Sequence, residues 1–226
     1  RLDYNIQMNN RMKKIIFLLC LISSPLWAQH AFENEIRNYE KLDSISMPAK
    51  GQILFIGSSS FSIWKTFAAD FAGIRAINRG FGGSTMTDAL YYFDRMVVKY
   101  APKVVVVYEG DNDLNKGISP ADLAKQYEEF SSRLKKALPK TKLVYLAVRP
   151  SLSRIAIVEK QKQFNAWLEN YCKSQKERYF LDMHSPFYLP DGTVMPDIFV
   201  TDRLHLNEKG YQIFSAKIRE FIFEKK

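Results

Sequence analysis

Lys103-Val104-Val105-Val106-Val107-Tyr108, running directly into Glu109-Gly110-Asp111-Asn112-Asp113, is the stretch that decides the fold. Its first half is β-branched and apolar without alternation, as a strand must be when helices cover both of its faces in a parallel sheet. Its second half is polar and turn-forming, so the strand gives way to a loop able to carry function. Outward from it, similar short apolar runs predict strands over residues 53–56, 75–78, 142–148 and 178–181. Helical spacing of Leu, Phe, Tyr and Ile predicts helices over 85–100, 120–138, 155–176 and 208–223. Ser119-Pro120-Ala121-Asp122 marks one start, with a capping hydroxyl, a proline at the first helical position and an acid in the first turn. Residues 30–51 should hold a lead-in helix, since Phe32, Ile36 and Tyr39 recur at helical spacing. Strands alternating with helices give a three-layer α/β/α sandwich around a central, mostly parallel five-stranded sheet of flavodoxin-like type.

The 226 residues suffice for one core, and 46% hydrophobic with 25% charged residues is the balance of a globular domain. Met12-Lys13-Lys14 followed by an apolar run over 15–27 reads as a secretory signal, with cleavage expected near Ala28 and a single domain over 29–226. That run is too short for a bilayer core, which takes about 20 residues, so no stable membrane insertion is expected after cleavage. A secreted or periplasmic location follows. Without Cys20 in that segment, Cys172 has no partner for an internal disulfide. The formal net charge of +9 is spread over segments such as 125–140, where lysines interleave with Glu128 and Glu129. That pattern reads as a solvated face rather than a nucleic-acid patch.

In a parallel sheet, ligands bind beyond the carboxyl ends of the strands. Four polar segments fall there: Gly57-Ser58-Ser59-Ser60, Asn78-Arg79-Gly80-Phe81-Gly82-Gly83, Glu109 to Asp113, and Asp202-Arg203-Leu204-His205 before the last helix. Acyl transfer needs a hydroxyl nucleophile, a base, a group that orients the base, and donors where negative charge develops. Ser59, His205 and Asp202 supply the first three; the backbone N–H groups of Ser59 and Gly83 and the Asn112 amide supply the donors. Each has a plainer alternative: serines and glycines at strand ends often serve only the turn, and a D-x-x-H spacing arises by chance. Arg149 and Arg154, after the fourth strand, border the same place as candidate substrate contacts. The acids around Asp111 have no histidine cluster or EF-hand spacing, so neither a metal nor a cofactor is expected.

Together the four segments resemble the SGNH branch of the GDSL esterase/lipase family over residues 53–221. On that resemblance the first block, G-D-S in the family, makes Ser59 the nucleophile, with Ser58 standing where the family has aspartate. The second block contributes Gly83; the third, G-x-N-D, matches Gly110 to Asp113 and makes Asn112 an oxyanion donor. The last, D-x-x-H, matches Asp202 and His205. Phe61 occupies the second glycine position of the G-x-S-x-G elbow, which disfavours the α/β-hydrolase fold. The resemblance implies an ester hydrolase acting through an acyl-serine, removing acetyl or other short acyl groups from a carbohydrate ester. The alternatives it leaves open are a lysophospholipase or thioesterase, and a glycan-binding module without turnover. Nothing in the sequence fixes the oligomeric state.

Overall fold

In the computed structural model, residues 30–224 are described, and the five strands lie in one sheet of order β2-β1-β3-β4-β5. These are β1 Ile53–Gly57, β2 Ala76–Asn78, β3 Val104–Tyr108, β4 Lys142–Leu146 and β5 Arg178–Leu181. All four pairings are parallel, with Ile53 opposite Val104 and Val104 opposite Lys142. The helices are α1 Glu33–Ile45, α2 Ser59–Ser62, α3 Phe67–Asp70, α4 Met86–Tyr91, α5 Phe93–Met96, α6 Asp111–Asn115, α7 Pro120–Ala137, α8 Val158–Lys173 and α9 Glu208–Glu224. From β1 the chain goes to β2 on one side and returns to β3 on the other, so winding direction reverses between β1 and β3. A crevice opens at such a switch point.

Alternate side chains of each strand serve opposite faces. Phe55, Val106, Tyr108, Val144 and Leu146 join α9 in one buried cluster, where the Tyr108 and Phe214 rings meet edge to face at 5.7 Å. On the other face Tyr145 packs on Tyr127 of α7 at 4.6 Å, and Tyr127 on Phe164 of α8 at 4.9 Å. The result is the expected α/β/α sandwich. The Ser119 hydroxyl accepts from Asp122 N at 3.1 Å, so the N-cap of α7 forms as its sequence requires.

Several boundaries differ from expectation. The strand foreseen over 142–148 stops at Leu146. Beyond it the Asn165 amide takes over the ladder's role, its oxygen accepting from Val148 N and its nitrogen donating to Val148 O, both at 2.8 Å. The helix foreseen over 85–100 is interrupted at Tyr92 and Val97, with a 3-10 turn at Val98–Tyr100. The consecutive β-branched Val97 and Val98 favour the break, because they lose side-chain freedom against a preceding helical turn. The helix foreseen over 155–176 starts at Val158, after a 3-10 segment Leu152–Ile157 in which Arg154 leaves helical angles.

The lead-in helix is α1, with Ile36 and Asp43 buried. Asp43 accepts from Arg79 at 2.5 Å, Tyr100 at 2.6 Å and Lys99 at 2.8 Å. Burial works to raise its pKa, but the bonds from Lys99, Tyr100 and Arg79 outweigh it and hold the carboxyl below its ordinary value. Contacts divide the chain into Arg1–Glu33 and Asn34–Lys226. The expected signal segment, residues 1–28, lies outside the described residues. Among those described, no helix is long and apolar enough to cross a membrane.

Candidate active site

β1 ends at Gly57 because the chain there has no room for a side chain: a Cβ would stand 2.2 Å from Tyr108 O of the neighbouring strand. That approach turns the backbone into α2. Ser58 O accepts from Phe61 N at 2.9 Å and from Ser62 N at 3.2 Å, so backbone bonds close the turn without a side-chain cap from Ser58. Ser59 is the first residue of α2, where a helix leaves N–H groups without intrahelical acceptors.

His205 Nε2 lies 2.9 Å from Ser59 Oγ across 146 positions of sequence, and His205 Nδ1 lies 2.5 Å from Asp202 Oδ2. A carboxylate only accepts, so it places the imidazole proton on Nδ1 and leaves Nε2 to accept from the serine hydroxyl. Asp202 is fixed in turn, Oδ1 accepting from Leu204 N and His205 N at 2.9 Å each. Partial burial works to raise its pKa, but the His205 side chain and the two backbone donors bring it down to about 2. Asp202 is therefore ionised at any pH above about 2.

Ser59, Gly83, Asn112, Arg149, Arg154 and His205 line one cavity of about 300 Å³, with Ile63 and Leu204 among its apolar walls. Within the described chain no hydrogen bond is made by the N–H of Ser59 or of Gly83. Asn112 donates one amide hydrogen to Ser84 O at 2.9 Å, which leaves the other for an acceptor in the cavity. A nucleophile, a base and unspent donors thus share one cavity, the combination that acyl transfer uses.

The two arginines are engaged differently. Arg149 is 2% exposed and donates to Leu204 O at 2.9 Å and Pro150 O at 3.3 Å, with its Nε unpartnered. Its guanidinium lies 5.8 Å from the Phe199 ring centroid and 6.0 Å from that of Phe187. Arg154 bonds Asp111 Oδ2 at 2.5 Å and Asn112 Oδ1 at 2.9 Å. Sequence reading missed Ser84, Asp111 and Gln161, which support this wall. Asp111, inside the third block, and Ser84, next to Gly83, stood close enough to recognised blocks to be found; Gln161 carried no such signal. His184 bonds Val148 O at 2.9 Å and Tyr188 Oη at 3.0 Å, a structural use.

Beneath the wall sit two buried acids. Glu109 accepts from the Ser84 hydroxyl at 2.6 Å, and burial, reinforced by Asp113, pushes its pKa well up. Asp113 accepts from Met86 N at 2.9 Å and Gly110 N at 3.0 Å, yet burial outweighs these bonds and raises it to about 6. The native state then keeps this proton between about pH 4 and pH 6 while the unfolded chain releases it, so stability falls as pH rises through that window. With the raised value near 6, the Asp113 contribution to the fall is on the order of 3 kcal/mol. Urea unfolding at pH 4.5 and pH 7 should show a clearly smaller fall in Asp113→Asn than in the wild type; equal falls would remove Asp113 as its source.

No curated protein matches the sequence. Among solved structures, a GDSL-like lipase from Bacteroides thetaiotaomicron superposes with a TM-score of 0.72 at 21% identity, covering 84% of this chain and 98% of its own. A catalytic mutant of an acetylxylan esterase from Geobacillus stearothermophilus gives 0.62 at 14% identity, covering 75% and 93%. At these identities the likeness concerns the fold. The sequence model of the GDSL-like Lipase/Acylhydrolase family matches residues 56–213, a span that takes in every segment lining the cavity. The chain belongs to that family and is a carboxylic ester hydrolase.

Proposed function

We propose that the protein removes acetyl or other short acyl groups from carbohydrate esters through an acyl-Ser59 intermediate. The observation that carries this reading is the line Asp202 Oδ2, His205 Nδ1, His205 Nε2, Ser59 Oγ, with gaps of 2.5 and 2.9 Å. Ser59 Oγ attacks the ester carbonyl as its proton passes to His205 Nε2. The N–H groups of Ser59 and Gly83 and the Asn112 amide receive the oxyanion, which is charge these donors meet more strongly than they meet a neutral carbonyl. Collapse breaks the bond to the alcohol, which leaves with the proton from His205. Water, deprotonated by His205, then cleaves acyl-Ser59 and releases the carboxylic acid.

The small size of the cavity, about 300 Å³, supports a short acyl group. The similarity to an acetylxylan esterase supports carbohydrate as the alcohol. The basic and apolar segment before Ala28 supports export to the periplasm or medium, where such esters are met. Turnover of p-nitrophenyl esters of increasing chain length, alongside acetylated xylo-oligosaccharides and lysophospholipids, tests the reading. Expected is a maximum at acetyl with release of acetate from the sugar. A maximum at long chains with hydrolysis of the lysolipid would replace it with the lysophospholipase reading.

A further inference from the structure

We propose that Arg154 is a positioning residue for the oxyanion step, setting which end of the Asn112 amide faces the reacting carbonyl. The proposal rests on the acyl-Ser59 reading. An amide side chain fits its site almost equally well in two orientations related by a half turn, with oxygen and nitrogen exchanged. Only one of them presents an N–H to the cavity. Asn112 is held at both ends by partners of opposite kind: Ser84 O accepts, and so demands the nitrogen, while the Arg154 guanidinium only donates, and so demands the oxygen. In the reversed orientation a carbonyl would meet a carbonyl and an NH₂ would meet a guanidinium. The two contacts, each 2.9 Å, enforce the same choice.

Arg154 can impose it because its own place is fixed. Its Nη1 pairs with Asp111 Oδ2 at 2.5 Å, with the two side chains 13% and 10% exposed, and its Nη2 reaches Asn112. The planar fork of one guanidinium thus spans two consecutive side chains at the start of α6, which a single-point donor would not do in this geometry. Asp111 is held from behind by Gln161 Nε2 of α8 at 3.0 Å, and Gln161 is fully buried. The backbone of Arg154 departs from helical angles, with φ −121° and ψ 26°, at the point where the side chain turns to these partners. The ion pair with Asp111 matches its charge, so Arg154 does not present an unpaired cation to substrate. Its contribution passes through Asn112.

A double-mutant cycle reads this directly, because residues that act through one another are not additive. With a short-chain ester, Asn112→Ala should lower kcat by about 10² to 10³, the usual cost of one oxyanion donor. Arg154→Met should lower kcat by roughly 10- to 100-fold with little change in KM, and Arg154→Met/Asn112→Ala should be no slower than Asn112→Ala alone within about twofold. Millimolar guanidinium should restore part of kcat to Arg154→Ala, and none to Asn112→Ala, which shows a lost donor rather than a lost fold. Multiplying effects, a rise in KM at unchanged kcat, an Asn112→Ala enzyme at wild-type rate, or no rescue of a folded Arg154→Ala would each overturn the proposal. Ser59→Ala separates the two layers: an active Ser59→Ala enzyme defeats the acyl-serine reading itself, whereas an inactive one beside a multiplicative cycle defeats only the role of Arg154.

Discussion

Ser59→Ala should reduce kcat on any accepted ester by about 10⁴ to 10⁶ while leaving the fold and its unfolding midpoint nearly unchanged. The side chain lost is a half-buried hydroxyl bonded to His205 Nε2, so little packing is lost with it. His205→Ala should fall by a similar factor, and the double variant should be scarcely slower than either single one, since nucleophile and base act as one unit. A fluorophosphonate probe should label the wild type and not Ser59→Ala, because labelling requires an activated hydroxyl. Wild-type turnover by Ser59→Ala, or labelling at another residue, would remove Ser59 from the reaction.

The second large effect is expected for Asp202→Asn. Leu204 N and His205 N both donate to Oδ1, so an asparagine here must keep its carbonyl oxygen at that position. Its NH₂ is then left facing His205 Nδ1, where the carboxylate now accepts at 2.5 Å. A donor at that place moves the imidazole proton to Nε2, which can no longer accept from Ser59. The geometry survives while the tautomer is wrong, and losses of about 10⁴ in kcat are typical of that substitution in serine–histidine–aspartate sites. Steady-state rates with a thermal melt check it. A loss below tenfold at unchanged stability would mean that His205 is oriented without Asp202.

Much of this was legible in the sequence, and the reasons differ by element. The central strands were legible because burial on both faces leaves a short apolar run whose β-branched residues favour a strand over a helix, as in Val104 to Val107. Ser59, Asn112 and His205 were legible because each sits in a compact polar block at a strand's carboxyl end, where parallel topology gathers them. The end of β4 was not, because it depends on Asn165, a side chain 17 positions after the Val148 it bonds. Nor were the ties of Arg154, since an arginine after a strand looks the same whether its partner is solvent, substrate or an asparagine 42 positions back. Local pattern records which face is buried, and it is silent on which long polar side chain meets which.

Asp202 and His205 lie three residues apart on a segment that closes on itself, through the Phe199–Leu206 bridge and the bond from Val200 N to His205 O at 2.9 Å. Base and orienting acid therefore travel together, as a small latch set against the sheet by Arg149 on Leu204 O and by Ser153 N on Arg203 O. What joins them to the nucleophile is a single span of 2.9 Å. Loss of that contact would take the base from the nucleophile with the imidazole still bonded to its carboxylate and the serine still seated on its helix.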